Sequence, residues 1–74
     1  DPQNGQYYFY QGNCQILLEK FKEAELLFTK ALSSNLSMEF LPDVYQNRAF
    51  VRMKLGDNEG ANSDAEIAKE CRNR

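Results

Sequence analysis

The sequence predicts an all-α protein: two antiparallel helix-turn-helix hairpins stacked as a short α-solenoid. Three observations carry this. Apolar residues recur at intervals of three and four, and nowhere do β-branched residues alternate with polar ones. Turn signals at Lys20, at Ser33-Ser34-Asn35-Leu36-Ser37 and at Gly56-Asp57 divide the chain into four segments of helical length. The chain also matches itself when shifted by 49 − 12 = 37 positions.

The first helix is expected over about residues 4–19, with Tyr7, Tyr10, Cys14 and Leu17 on one face. The second, about 21–34, places Phe21, Ala24, Phe28 and Ala31 on one face, and Lys20 falls at the tight corner between the two. Ser and Asn compete with helix by bonding to nearby backbone, so 33–37 reads as a loop. A third helix is expected over about 40–55, where Pro42 in the first turn costs little because its missing N–H has no helical partner there. Gly56 is its stop signal. Asp57 or Asn58 caps a fourth helix, about 58–72, by accepting a backbone N–H bond. Ala61, Ala65, Ala68 and Cys71 or Arg72 mark its inner face, where small residues let a partner helix come close.

Under the 37-residue shift, Tyr8 falls on Tyr45, Gly12 on Ala49, Leu18 on Leu55, Ala24 on Ala61 and Ala31 on Ala68. These are positions where paired helices need a small residue or a wedge. Phe28 against Ala65 and Phe21 against Asn58 break the match in bulk. The chain is read as one domain, 1–74, with one unit at about 5–36 and a second at about 40–72.

Composition narrows the function. At 74 residues a single core is marginal, so a neighbouring repeat, a capping helix or a second copy is expected to help. An apolar content of 42% is too high for a disordered tail. A net charge of −2 lacks the basic stripe that nucleic acid binding needs. The clustered tyrosines Tyr7, Tyr8 and Tyr10 therefore read as core and rim, not as a base-stacking platform. No apolar run approaches the roughly 20 residues that span a bilayer. There is no histidine, which removes imidazole acid/base chemistry and most zinc sites. Ser33, Ser63 and Cys71 have no histidine partner, and no Gly-rich phosphate loop occurs, so no enzymatic activity and no cofactor are expected. The two cysteines form no ligand pattern, and a reducing, cytoplasmic setting is expected. Cys14 is expected to be a buried, inert thiol. Cys71, beside Lys69 and Arg72, is the more reactive of the two. Glu19, Glu23, Glu25, Glu66 and Glu70 read as solvated helix faces.

Tyr8-x3-Gly12 followed by Ala24-x3-Phe28-x2-Ala31 resembles the tetratricopeptide repeat family in the spacing of aromatic, glycine, alanine, aromatic and alanine. Tyr45-Gln46-Asn47-Arg48-Ala49, Leu55-Gly56-Asp57 and Ala61-x3-Ala65-x2-Ala68 resemble a second repeat, with a likeness to chaperone-adaptor members. The period is 37 − 34 = 3 residues longer than the family's usual one, and the extra residues are placed in the 33–41 loop. The first unit lacks a closing proline, and Asn58 stands where an aromatic is usual.

The resemblance implies a concave groove lined by the first helix of each unit. Gln6, Phe9, Asn13 and Ile16 would come from the first helix, and Asp43, Gln46, Asn47, Phe50, Met53 and Lys54 from the third. In chaperone-adaptor relatives such a groove clamps a chaperone's C-terminal carboxylate with five side chains. Asn13 and Asn47 match two of the five, Phe9 replaces the clamp lysine and no third repeat follows. Charge-assisted bonds are about twice as strong as neutral ones, so the acidic-tail reading is weakened. Phe9, Ile16, Phe50 and Met53 make the groove apolar and suit an apolar or helical partner segment. Other roles stay open: Asn13 as a repeat-packing residue, Asn47 and Arg48 as a pair bonding to the neighbouring hairpin, and Phe9 as packing on residues 1–6 or on a preceding helix.

The expected function is therefore non-catalytic: a scaffold or adaptor that holds a protein or peptide. The alternative is a structural module that stacks on other repeats or on a second copy, using the outer face of the fourth helix. The start at Asp1-Pro2 and the end at Arg74 without a capping helix read as a fragment of a longer array or a self-associating unit.

Overall fold

The computed structural model describes residues 4–73. Its α-helices are α1 (Gly5–Leu17), α2 (Phe21–Leu32), α3 (Leu41–Lys54) and α4 (Asn58–Arg72), with one turn of 3-10 helix at Met38–Phe40. The described residues contain no strand; Asn4 and Asn35 make an isolated bridge that ties the start of α1 to the end of α2. Gly5 N–H donates to Asn35 O at 2.7 Å in this tie.

Four helix boundaries have a local cause. Asn4 caps α1 by accepting from Gln6 N–H at 2.9 Å, and Asp57 caps α4 by accepting from Gly60 N–H at 3.0 Å. Pro42 sits in the first turn of α3. Ser33 and Ser34 stop α2 by turning their hydroxyls back to Thr29 O and Lys30 O, at 3.2 and 2.7 Å. The sequence marks 33–41 as loop, and the 3-10 turn inside it has no residue signal of its own.

Helix α1 packs on α2, α2 on α3 and α3 on α4, while α1 touches α3 only lightly. The result is a slab of 32 × 32 × 17 Å, about two packed helices thick at 8–10 Å between axes. Its core is Ala24, Phe28 and Ala31 of α2, Phe9 of α1 and Val44 and Val51 of α3. Ala49, Ala61 and Ala68 close the second pair.

Gly12 sets the register of the first pair. A Cβ there would lie 2.5 Å from Phe28 Cε1, so the ring rests directly on the α1 backbone. This turns Gly5, Phe9 and Gly12 inward and corrects the expected inner face of α1. Tyr7, Tyr10 and Leu17 are instead 47%, 54% and 84% exposed. Cys14 is exposed as well, contrary to the buried thiol expected. Both stripes have helical spacing, and the glycine decides between them because only there can a ring approach so closely.

The two corners are built alike. Lys20 N–H bonds to Gln15 O and Asp57 N–H to Arg52 O, both at 2.8 Å, and Ala24 and Ala61 N–H each bond four residues back at 3.0 Å. In both, the residue after the helix is left-handed: Gly56 at φ 88° and Glu19 at φ 58°. Glycine takes this conformation freely, whereas an L-residue loses roughly 1–2 kcal/mol in it. Glycine's greater unfolded-state freedom returns about 0.5–1 kcal/mol of that. Glu19→Gly is therefore expected to raise stability by about 0.5–1 kcal/mol in urea melts. A gain equal to that of Glu19→Ala would mean that relief of the left-handed backbone is not the source.

Candidate interaction groove

Helix α3 is held on one side by a charged cluster and left open on the other. On the held side, Arg48 grips Asp64 of α4 with two bonds, Nε to Oδ2 at 2.8 Å and Nη2 to Oδ1 at 2.9 Å. Arg52 adds Nη1 to Asp64 Oδ2 at 3.0 Å and reaches α2 through Nε to Glu25 Oε2 at 2.8 Å. Arg48 Nη1 also donates to Thr29 Oγ1 of α2 at 3.2 Å. The Asp64 carboxylate is 1% exposed, so its charge is tolerable only because two guanidiniums satisfy it. Burial works against the Arg52 charge, but the bond to Glu25 and the charges of Asp64, Glu25 and Asp57 outweigh it, holding the guanidinium above its ordinary range. Stability from a raised pKa is complete below the unfolded value and is lost only as pH rises through the folded one. The Arg52 contribution is therefore retained through neutral pH.

Of the expected groove residues of α3, Asp43, Gln46, Phe50, Met53 and Lys54 are exposed and Asn47 is half-buried. Asn47 Nδ2 donates to Asn13 Oδ1 of α1 at 2.8 Å and links the two helices across the surface. Each amide retains capacity beyond that bond, a donor on Asn13 and an acceptor on Asn47. Phe50, 38% exposed, stands edge-on to Phe21 of α2 with ring centres 6.3 Å apart, and Lys54 Nζ lies 5.5 Å over its ring. Met53 is 57% exposed. Gln46 accepts from Arg72 Nη1 at 3.2 Å, and Asp43 lies 3.6 Å from Arg72 Nη2, so these two sit on the α4 side. Ile16 is half-buried against the core.

Phe9 is corrected from groove to core. It is 6% exposed, with ring centres 6.1 Å from Phe28 and 5.9 Å from Phe40. Residues 1–3, with which it was given a possible contact, lie outside the described residues. Its place on the open surface is taken by Tyr10, edge-on to Phe40 at 6.3 Å, and by Leu17. The sequence contains the signal for both: subtracting 37 from Asn47 and Lys54 gives Tyr10 and Leu17.

Sequence reasoning did not single out Asp64. Its signal is spacing, since 61, 64 and 68 share one face of α4, which makes Asp64 an acidic residue on an otherwise alanine stripe. The outer face of α4 also differs from expectation, because Asn58, Asn62, Glu66 and Lys69 expose a polar surface there. A depression of about 550 Å³ lies on the outward face of α2 against Gln15, Leu26, Leu27 and Lys30; it includes no α3 residue and is separate from the open face of α3. Among the described residues no helix is long and apolar enough to cross a membrane. Compared with family models, with characterised proteins and with solved structures, the chain matches none.

Proposed function

We propose that this chain is a non-catalytic interaction module of tetratricopeptide-repeat type, which holds an apolar segment of a partner protein, helical or extended, along the α1–α3 surface. The observation that carries the reading is the open face of α3. Phe50, Met53 and Lys54 stand exposed beside a bonded Asn13–Asn47 pair, while the other side of the helix is fixed by Asp64, Glu25 and Thr29. A surface with apolar anchors and a few fixed amides, on a helix that cannot rotate, meets the needs of peptide capture.

The solenoid arrangement is supported by the two equal corners and the shared 37-residue offset. A capture of acidic C-terminal tails is disfavoured by the chemistry. Phe9 is core, and among the described expected groove residues Lys54 is the one cation. Two free thiols, Cys14 and Cys71, fit a reducing compartment such as the cytoplasm.

A peptide selected from a random library on the wild-type protein provides the test. Asn47→Ala is expected to weaken its binding about tenfold, a loss of roughly 1.4 kcal/mol. The same change is expected to lower folding stability by no more than about 1 kcal/mol, the net value of one hydrogen bond. Selection of acidic C-terminal tails, or equal losses of binding and stability, would overturn the reading.

A further inference from the structure

The internal repeat shows what the outer face of α1 lacks. Adding 37 to Tyr7 and Cys14 gives Val44 and Val51, both 0% exposed because α2 covers them. In α1 these two positions are bare. Tyr7, Tyr10, Cys14 and Leu17 follow one another at intervals of three, four and three, the spacing of a two-heptad helix-pairing seam. The whole of α1, GQYYFYQGNCQIL, contains no charged residue.

Within this molecule the face equivalent to the one that covers α3 belongs to α4. Beside the shared core, Phe21, Glu25 and Thr29 of α2 meet α3 through a ring contact and two hydrogen bonds. Their counterparts on α4 are Asn58, Asn62 and Glu66, all exposed and polar. Head-to-tail stacking of copies would bury those groups against tyrosine and leucine without partners, at a cost. Pairing α1 with α1 across a twofold axis meets no such cost. The face is apolar and uncharged, and a twofold interface needs only a patch that complements itself.

We propose that two copies of this chain associate through their α1 helices, with Tyr7, Tyr10, Cys14 and Leu17 forming the seam. At Tyr7 and Cys14 the seam covers in the first hairpin what α2 covers at Val44 and Val51 in the second; Tyr10 and Leu17, counterparts of Asn47 and Lys54, carry it onto the open side. The seam shares Tyr10 and Leu17 with the proposed α1–α3 groove, so dimer and groove-bound peptide compete at that edge, whereas Phe50 and Asn47 lie outside the seam. With two heptads of contact the seam runs along about 20 Å of helix at 1.5 Å per residue.

Light scattering on the reduced chain, from about 1 µM to 1 mM, is expected to show monomer passing to dimer. Cys14→Glu and Leu17→Glu should each raise the dissociation constant at least about tenfold, while Phe50→Glu and Leu26→Glu leave it unchanged. A short bismaleimide should join two Cys71→Ser chains through Cys14, which keeps the proposal testable should a glutamate variant fail to fold. A monomer at every concentration, including one whose α1 binds a separate helical hairpin instead, would overturn it. So would a dimer that is indifferent to both glutamates or that gives no Cys14 cross-link.

Discussion

Asp64→Ala is expected to lower stability by about 3–5 kcal/mol, the cost of breaking a buried ion cluster by removing one partner. The effect is large because two cations depend on one carboxylate. Arg48 is gripped at 2.8 and 2.9 Å and Arg52 at 3.0 Å, and all three side chains sit between helices. Without Asp64, Arg52 keeps Glu25, and Arg48 keeps only Thr29 and the Tyr45 ring 5.6 Å away. A domain of 74 residues has roughly 4–11 kcal/mol in total at 0.05–0.15 per residue, so this one change takes a large share. Asp64→Asn keeps the shape and one acceptor and should lose less. Replacing Arg48, Arg52 and Asp64 together by apolar residues should recover much of the loss, because the desolvation cost of the charges disappears with them. Urea melts of the three variants give the order. If Asp64→Ala costs under about 1 kcal/mol, water reaches the cluster and the helices are held together by other contacts.

Phe28→Ala is the second large effect, about 3–5 kcal/mol. Phe28 is among the largest fully buried side chains, and it packs on a glycine. The cavity left between Gly12, Phe9 and Ala31 cannot close easily, since helix backbone forms one of its walls. The reciprocal change makes the point from the other side: Gly12→Ala drives a methyl into the ring and should cost about 1–3 kcal/mol by overpacking. Combining Gly12→Ala with Phe28→Leu should cost less than the sum of the two, because the smaller side chain makes room. Strict additivity in thermal melts would show that the two residues do not share one contact.

Much of the fold is legible in the residues, for identifiable reasons. Gly56, Pro42 and Asp57 are positional signals, and each acts where its chemistry requires: past a helix end, in a first turn, and at a cap. The alanine and aromatic stripe of α2 has one reading because Glu23, Glu25 and Lys22 occupy the other faces. Helix α1 is different. It has no charge to mark a solvent side, so its periodicity permits two inner faces, and Tyr7, Tyr10, Cys14 and Leu17 look as suitable as Phe9 and Gly12. Only the approach of Phe28 to Gly12 separates them. The site follows the same pattern. The exposed face of α3 follows from the repeat resemblance and not from local spacing, whereas the burial of Phe9 depends on Phe40, which the loop brings back across α1. The bond between Asn13 and Asn47, 34 residues apart, depends on how the hairpins meet, which no local signal records.

The central claim is that the partner lies on the α1–α3 surface, and amide chemical-shift mapping with the library-selected peptide tests it most directly. The account predicts shifts concentrated at Asn13, Tyr10, Asn47, Phe50, Met53 and Lys54, and their loss in Phe50→Glu. Shifts concentrated on the outward face of α2, at Leu26, Leu27 and Lys30, or shifts that survive Phe50→Glu unchanged, would contradict it.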